Sequence, residues 1–439
     1  MQVYLVGGAV RDRLLGLPVH DRDWVVVGST VEQMRDAGYK TVGRDFPVFL
    51  HPESHEEYAL ARTERKTAPG YRGFSIHAEP DVTLEQDLQR RDITINAIAE
   101  DSDGNLLDPF NGVSDLEQRV LRHVSAAFAE DPVRILRVAR FAARLQPYGF
   151  SVADETFELM RQMVDSGEVD ALVPERVWQE LRTALLTGKP SVFFDVLDKA
   201  AALPLVLPEV HALFGIPEAS TRQPGLPEPL DPAIDCGRHT MQVLDQASAL
   251  AASLAEQAPS DAAENQRARI CFAALCQDLG KAVTPRQQWS SHQGHEENGV
   301  AIAENLSQRL RVPNDFRQLA IATCRYHTDC HRALQANAES LIEILAALDA
   351  LRRPERTAEF LLVCEADARA TEDESYQSYP QADRFKAALA AMQSVDAGAI
   401  AQSTMKSLQA DGHDNKNPSM EIKNAVHKAR LTAVEHALR

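Results

Sequence analysis

No apolar run in this sequence approaches the roughly 18 residues of a membrane-spanning helix, so no such span is expected. The six cysteines, at positions 236, 271, 276, 324, 330 and 364, form no CxxC pair, which removes zinc ribbons and dithiol redox motifs from consideration. Cysteines so sparse fit a reducing cytoplasm. No basic leader precedes the first short apolar run, so no signal peptide is expected. The glycine spacing of a dinucleotide fold and the GK[ST] of a phosphate-binding P-loop are both missing. Basic charge is scarce as well: 46 Lys and Arg stand against 64 Asp and Glu, a net charge of −18. Taken over the whole chain, that balance disfavours a nucleic-acid partner, because phosphates are neutralised by cations. A cleft that gathers the basic residues on one face escapes the objection.

What is there describes a folded protein of several domains. At 439 residues, two to four are expected, and 44% hydrophobic with 25% charged residues is a globular composition. Residues 1–125 read as mixed α/β. Strands are expected at 3–6, 24–27, 46–51 and 57–62, helices at 9–15 and 30–38, the latter capped by Thr30 and ended by Gly38. From 129 onward the pattern is helical. Five prolines in 215–232 mark an extended connector. Polar loops are expected at 255–266 and 409–419, the second before a terminal amphipathic helix, and there is no internal repeat.

Chemistry concentrates in a few places. In VHDRDWVVVG, Asp21 and Asp23 stand one residue apart at the entrance to an apolar strand. In extended chain their carboxylates project together. Two like charges so placed repel unless a cation lies between them, and Mg2+ is a cation held by a carboxylate pair and substrate phosphates. The plainer alternative is a solvated turn in which they pair with Arg22. In GGAVRD, glycines between strand and helix can bring backbone N–H groups to a phosphate, and Arg11 can add a forked contact. In RRDITINAIA, Arg91 is a candidate phosphate clamp and Asn96 a candidate ribose partner; a surface pair with a helix cap is equally open. In EDPVRILRVARFAAR, Asp131-Pro132 reads as a helix start. There Arg134, Arg137, Arg140 and Arg144 fall on one stripe without an acid among them, opposite Ile135, Val138, Ala139 and Ala142. That stripe calls for an anion, unless it is only a solvated face.

LVGGAVRDRLLG, HDRDWVVVG, RRDITINAIA, DPFNGVSDL and AEDPVRILRVARFAARL, in this order and followed by LVPERVWQEL, resemble the class II bacterial CCA-adding tRNA nucleotidyltransferases of the polymerase-β-like superfamily. The resemblance implies an α/β nucleotidyltransferase head at 1–125, a mostly helical nucleotide-selecting neck and RNA-binding body at 126–215, a linker at 216–236, a helical HD-like domain at 237–375 and a helical tail at 376–439. It implies template-independent addition of C, C and A to the tRNA 3′ end from CTP and ATP with release of pyrophosphate, in the cytoplasm, by a monomer or homodimer with no membrane partner. Asp21 and Asp23 would be catalytic and hold Mg2+. Gly8, Arg11, Arg91, Asp131, Arg134, Arg137 and Arg140 would bind the nucleotide, with Asp131 and Arg134 reading the base edge. Whether Asp21, Asp23 or a bound water takes the attacking hydroxyl's proton is left open, as is a third carboxylate such as Glu57.

The HD-like region departs from its pattern. His239, His292, His295, His327 and Asp367 are available, but CQDLGK puts Gln277 where a histidine precedes Asp278. A neutral amide oxygen is a poorer ligand than imidazole for nickel or zinc. His239, Asp278, His295 and Asp367 therefore form a degenerate metal site, with nickel the candidate ion and phosphohydrolase activity weak or absent. The histidines can equally be ordinary helix residues. A poly(A) polymerase is the rival reading of the first half, and an HD metal phosphohydrolase that of the second.

Overall fold

The computed structural model describes residues 1–42, 48–66, 74–218, 235–255, 260–370, 378–410 and 417–439. The chain divides into two compact units, Met1–Pro208 and Glu209–Arg439.

The first unit begins with strand β1 (Gln2–Val6), helix α1 (Gly8–Leu14), strand β2 (Asp23–Val27), helix α2 (Val31–Asp36) and strands β3 (Lys40–Val42), β4 (Val48–Leu50) and β5 (Glu57–Leu60). A separate ribbon, β6 (Thr63–Lys66) with β7 (Phe74–His77), helix α3 (Leu84–Gln89), strands β8 (Ala99–Glu100) and β9 (Leu106–Leu107) and helix α4 (Gly112–Gln118) follow. The main sheet has the order β3-β4-β5-β2-β1-β8-β9. β2 runs antiparallel to β1, with Val6 opposite Asp23, and parallel to β5, with Asp23 opposite Glu57. Both faces of β2 are covered, which is why it reads as an unbroken apolar run. Val25 packs with Val6, Leu88 and Ala99 on one face; Val26 packs with Met34, Tyr58 and Leu60 on the other. Thr30 caps α2 through a reciprocal bond pair with Gln33, as its sequence suggests. Of the strand expected at 46–51, β4 covers Val48–Leu50, while residues 46 and 47 lie outside the described residues.

The helical half of this unit is α5 (Val133–Leu145), α6 (Asp154–Asp165), α7 (Pro174–Leu185) and α8 (Ser191–Lys199). The helix start read at Asp131-Pro132 falls one residue further on: a 3-10 turn, Ala126–Glu130, precedes Asp131-Pro132, and α5 starts at Val133. Proline has no N–H to continue the earlier turn, and the Asp131 carboxylate accepts the Val133 N–H at 3.1 Å instead.

The second unit is helical. Helix Asp261–Cys276 is its central element: Ile270 to Cys276 are all fully buried, so no solvent face remains to give it amphipathic spacing. Helices Cys236–Ala255, Asn314–His331 and Pro354–Arg369 pack around it, and helix His295–Arg309 packs on Asn314–His331 and on the turn that follows the central helix. The polar loop expected at 255–266 is shorter than anticipated, because Ser260 accepts the Ala263 N–H and starts the helix at Asp261. Residues 256–259 lie outside the described residues, as do 219–234 of the expected connector and 411–416 of the expected loop before the terminal helix, Pro418–Ala437.

Gly280, in the turn after the central helix, meets helix His295–Arg309 so closely that an added Cβ would lie 1.9 Å from the His295 carbonyl oxygen and 2.5 Å from the Gly299 nitrogen. Main chain cannot move aside cheaply. Gly280→Ala is expected to cost about 3 kcal/mol, read as a lower unfolding midpoint for the second unit in calorimetry, while Gly16→Ala, with open space around it but a positive φ, costs less.

Candidate active site

Asp23 is the first residue of β2, and Asp21 lies just before it in the approach to the strand. The turn alternative fails on one count: Arg22 reaches Glu56, at 3.7 Å, and not either aspartate. Among the described residues neither the Asp21 nor the Asp23 carboxylate has a hydrogen-bond or ion-pair partner. Glu57 opens β5 in register with Asp23, so strand spacing puts a third carboxylate beside the pair on the same face. The Asp23 carboxyl is pushed above its usual value, mainly because the strand mouth strips water from it; Arg91 opposes and Asp21 adds to the shift. It stays open to solvent on one side, so that desolvation is partial.

Gly7 separates β1 from α1 with φ +70°, a conformation that suits glycine, and an added Cβ there would come 2.9 Å from Arg91 Nη1. Arg91 is held by Asp87 at 3.2 Å and by the Asn96 carbonyl at 3.3 Å, while its Nε is buried without a partner. A buried unpaired donor beside a glycine turn and within electrostatic reach of Asp23 is suited to an anionic oxygen. Gly8 opens α1 with Arg11 Nη2 3.6 Å from where its Cβ would lie.

Arg11 is 2% exposed and already engaged. It donates to Asp12 at 2.8 Å and to Asn96 Oδ1 at 2.6 Å and lies over the Phe141 ring at 5.3 Å. Asn96, expected as a ribose partner, spends its amide on Arg11 and Asp92. Arg137 and Arg140 share the Phe141 ring at 5.7 and 4.3 Å, so three guanidiniums surround one aromatic.

The arginine stripe of α5 is present, but its anions belong to the protein. Arg137 pairs with Asp92 at 2.8 Å, Arg140 with Glu180 at 2.5 Å and Arg144 with Asp12 at 2.8 Å. Arg134 donates to the carbonyls of Ala127 and Arg90 at 2.7 and 2.6 Å. The sequence conceals this because the acids come from other elements. Asp131 is gripped by both arms of Arg176, at 3.0 and 2.7 Å. Asp12, Asp87, Asp92, Arg176 and Glu180 were thus missed by motif reading. The spacing of Arg176 and Glu180 in PERVWQEL, one helical turn apart, was the available signal.

A second polar cluster lies in the second unit. His295 and His327 bring their Nε2 atoms within 3.2 Å, and both lie near Asp278 Oδ1, at 3.6 and 3.5 Å. Each Nδ1 sits on a main-chain carbonyl, His292 O at 2.9 Å and Thr323 O at 3.0 Å, which turns both Nε2 atoms inward; burial opposes the charged form of His327, but Asp278 outweighs it and its imidazole is pushed up to about 9. Beside them Asp367 joins His239 and His331, each at 2.8 Å. His331, one turn beyond His327, was not anticipated. His292 does not join either group: Thr284 and the Pro217 carbonyl hold it, because it precedes the helix that carries His295. Lys281 lies 3.2 Å from Asp278 Oδ1 and is buried with it. Gln277 adjoins the cluster with its Oε1 buried and unpaired.

A mixed sheet with a carboxylate pair at one strand mouth, a glycine turn and an arginine-lined helix define a nucleotidyltransferase of the polymerase-β-like class. Residues 3–122 match the poly A polymerase head domain, 149–214 the probable RNA and SrmB-binding site of polymerase A, and 237–372 the HD domain. The multifunctional CCA protein of Teredinibacter turnerae is 52% identical, covering 99% of this chain and 98% of its own; that of Thioalkalivibrio sulfidiphilus is 54% identical over the same shares. The chain belongs to the multifunctional CCA protein family, and with it to the CCA-adding tRNA nucleotidyltransferases. In fold it is similar to the Bacillus stearothermophilus CCA-adding enzyme in complex with CTP, with TM-score 0.64 and 21% identity over 99% of this chain and 89% of that one. It is also similar to a tRNA nucleotidyltransferase complexed with a primer tRNA and an incoming ATP analogue, with TM-score 0.53 and 22% identity over 84% and 92%. No helix among the described residues is long and apolar enough to cross a membrane.

Burial works against ionisation of Asp92, but Arg137, aided by Asn96 and the Ile93 amide, outweighs it and holds the carboxyl well below its usual range. A depressed folded pKa contributes stability that is present above about pH 4 and lost as pH falls toward the folded value. Asp92→Asn is expected to lose about 2 kcal/mol at neutral pH, Arg137 being partly solvated. In urea titrations the gap between wild type and variant should shrink below about pH 4; a gap independent of pH contradicts the pairing.

Proposed function

We propose that Asp21 and Asp23 hold the divalent ions of nucleotidyl transfer and that the turn at Gly7-Gly8 with Arg91 receives the triphosphate. The observation that carries this is the unpartnered carboxylate pair at the mouth of β2, with the unpaired Arg91 Nε beside it. Hard carboxylate oxygens, with Glu57 in register, are a donor set suited to Mg2+. When bound, such ions would offset negative charge on the phosphates and lower the pKa of the attacking hydroxyl. This chain's own part is positioning. The Asp21 and Asp23 carboxylates fix where cations sit, Arg91 orients phosphate oxygens, and the stripe on α5 keeps the nucleotide beside Asp131 and Arg134. Asp131 accepts the amino group that cytosine and adenine both carry, and Arg134 faces the ring nitrogen beside it. The substrates on this reading are CTP, ATP and the 3′ end of tRNA, in a cytoplasmic setting.

The experiment is incorporation on tRNA lacking its CCA end, with each triphosphate alone and with CTP plus ATP. Wild type should stop after three residues, and Asp21→Ala and Asp23→Ala should each lose at least about 1,000-fold in kcat with the unfolding midpoint unchanged. A long A tail favours a poly(A) polymerase; full activity of Asp23→Ala ends the proposal.

For the second unit we infer a weakened metal site. The inward Nε2 atoms of His295 and His327 with Asp278 suit a transition metal such as nickel, but Gln277 supplies an amide in place of an imidazole, and Lys281 competes for Asp278. Gln277→His is expected to raise Ni2+ affinity about 10- to 100-fold in calorimetric titration, and cyclic phosphodiester hydrolysis with it. Robust, chelator-sensitive turnover of a 2′,3′-cyclic nucleotide by the wild type would refute the weakness.

A further inference from the structure

The grip on Asp131 carries a consequence for nucleotide choice. A carboxylate offers about four lone-pair sites, two on each oxygen. Asp131 Oδ1 accepts the Val133 N–H at 3.1 Å and Arg176 Nη1 at 3.0 Å. Oδ2 accepts Arg176 Nη2 at 2.7 Å. Among the described residues, that leaves one acceptor site, on Oδ2, in a carboxylate that is only partly exposed. The forked contact fixes the plane of the group, since both oxygens are held by one rigid guanidinium.

Arg176 is itself on a fixed element. It sits in the first turn of α7, and Glu180, one turn further along the same face, holds Arg140 of α5. Through these two contacts α7 ties down the approach to α5 at Asp131 and its middle at Arg140.

We propose that Arg176 is a specificity-positioning residue: by occupying three-quarters of the acceptor capacity of Asp131 together with the Val133 amide, it leaves a single acceptor aimed at one exocyclic amino group. The inference rests on the reading that Asp131 faces the base. Cytosine and adenine present an amino group at that edge, whereas uracil and guanine present a carbonyl oxygen, which a carboxylate repels. A carboxylate that could turn or slide would instead accept the ring N–H that uracil and guanine carry next to that carbonyl. The clamp removes this escape. Rejection of the wrong bases then depends on Arg176, which need not touch the nucleotide.

The test is single-nucleotide incorporation by the full chain, with CTP against UTP on tRNA lacking CCA, and ATP against GTP on tRNA ending in CC. Arg176→Ala and Arg176→Gln are expected to erode the ratio of kcat/KM for right over wrong base by roughly tenfold or more, the scale of one lost charged hydrogen bond. Arg176→Lys keeps the charge without the fork and should fall between; it carries the test if the other variants do not fold, as judged by their unfolding midpoints. A merely structural role predicts that CTP and UTP rates fall in proportion, and that result overturns the inference. Asp131→Ala separates the two levels. If it abolishes selectivity while the Arg176 variants retain it, the inference fails and the base-facing role of Asp131 stands. If Asp131→Ala itself keeps full selectivity, both fall.

Discussion

Arginines packed against one another repel, and the first unit closes over its arginine-lined face only because buried carboxylates lie between them. Asp12 separates Arg11 from Arg144, Asp87 holds Arg90 and Arg91, Asp92 holds Arg137, and Glu180 holds Arg140. Asp87 serves arginines of its own stretch, but Arg137, Arg140 and Arg144 of α5 meet acids from distant parts of the chain, so their charge balance is met only in the folded state. The same contacts set side-chain direction. A guanidinium fixed by a carboxylate on one edge offers its other edge to a ligand without paying again for rotamer order.

This arrangement also reconciles an acidic protein with a polyanionic substrate. Most of the excess acid is elsewhere, and the acids within the cleft are spent one by one on specific arginines. The carboxylates of Asp21 and Asp23 at the mouth of β2 are not spent in this way among the described residues. Phe141 contributes differently: as a shared face for Arg11, Arg137 and Arg140, it keeps three like charges parallel to one surface without neutralising any of them.

The polar cluster of the second unit is held by main chain as much as by side chains. The rings of His295 and His327 are oriented by main-chain carbonyls, Gly280 admits the close approach of its neighbouring helix, and Asp367 bridges His239 and His331. The residue before Asp278 is a glutamine. Gln277 is fully buried beside the cluster with its Oε1 unpaired, so its packing rests on volume and burial rather than on a hydrogen bond from that oxygen.

By itself the sequence determined the head strand with its paired acids, the Thr30 cap, the break before the helical neck, the arginine spacing of α5 and the departure at Gln277. Each of these is local, written in alternation, in helical spacing or in a residue type at a fixed offset. Tertiary structure alone decided which anions meet those arginines, that Arg11 and Asn96 are engaged inside the protein, that Arg176 clamps Asp131, that Glu57 stands level with Asp23, and that His331 rather than His292 joins the second cluster. These are pairings between residues tens of positions apart, such as Asp131 with Arg176 and Asp12 with Arg144. Strand register and helix packing set them, and no periodicity within a single segment encodes which partner lies across the gap.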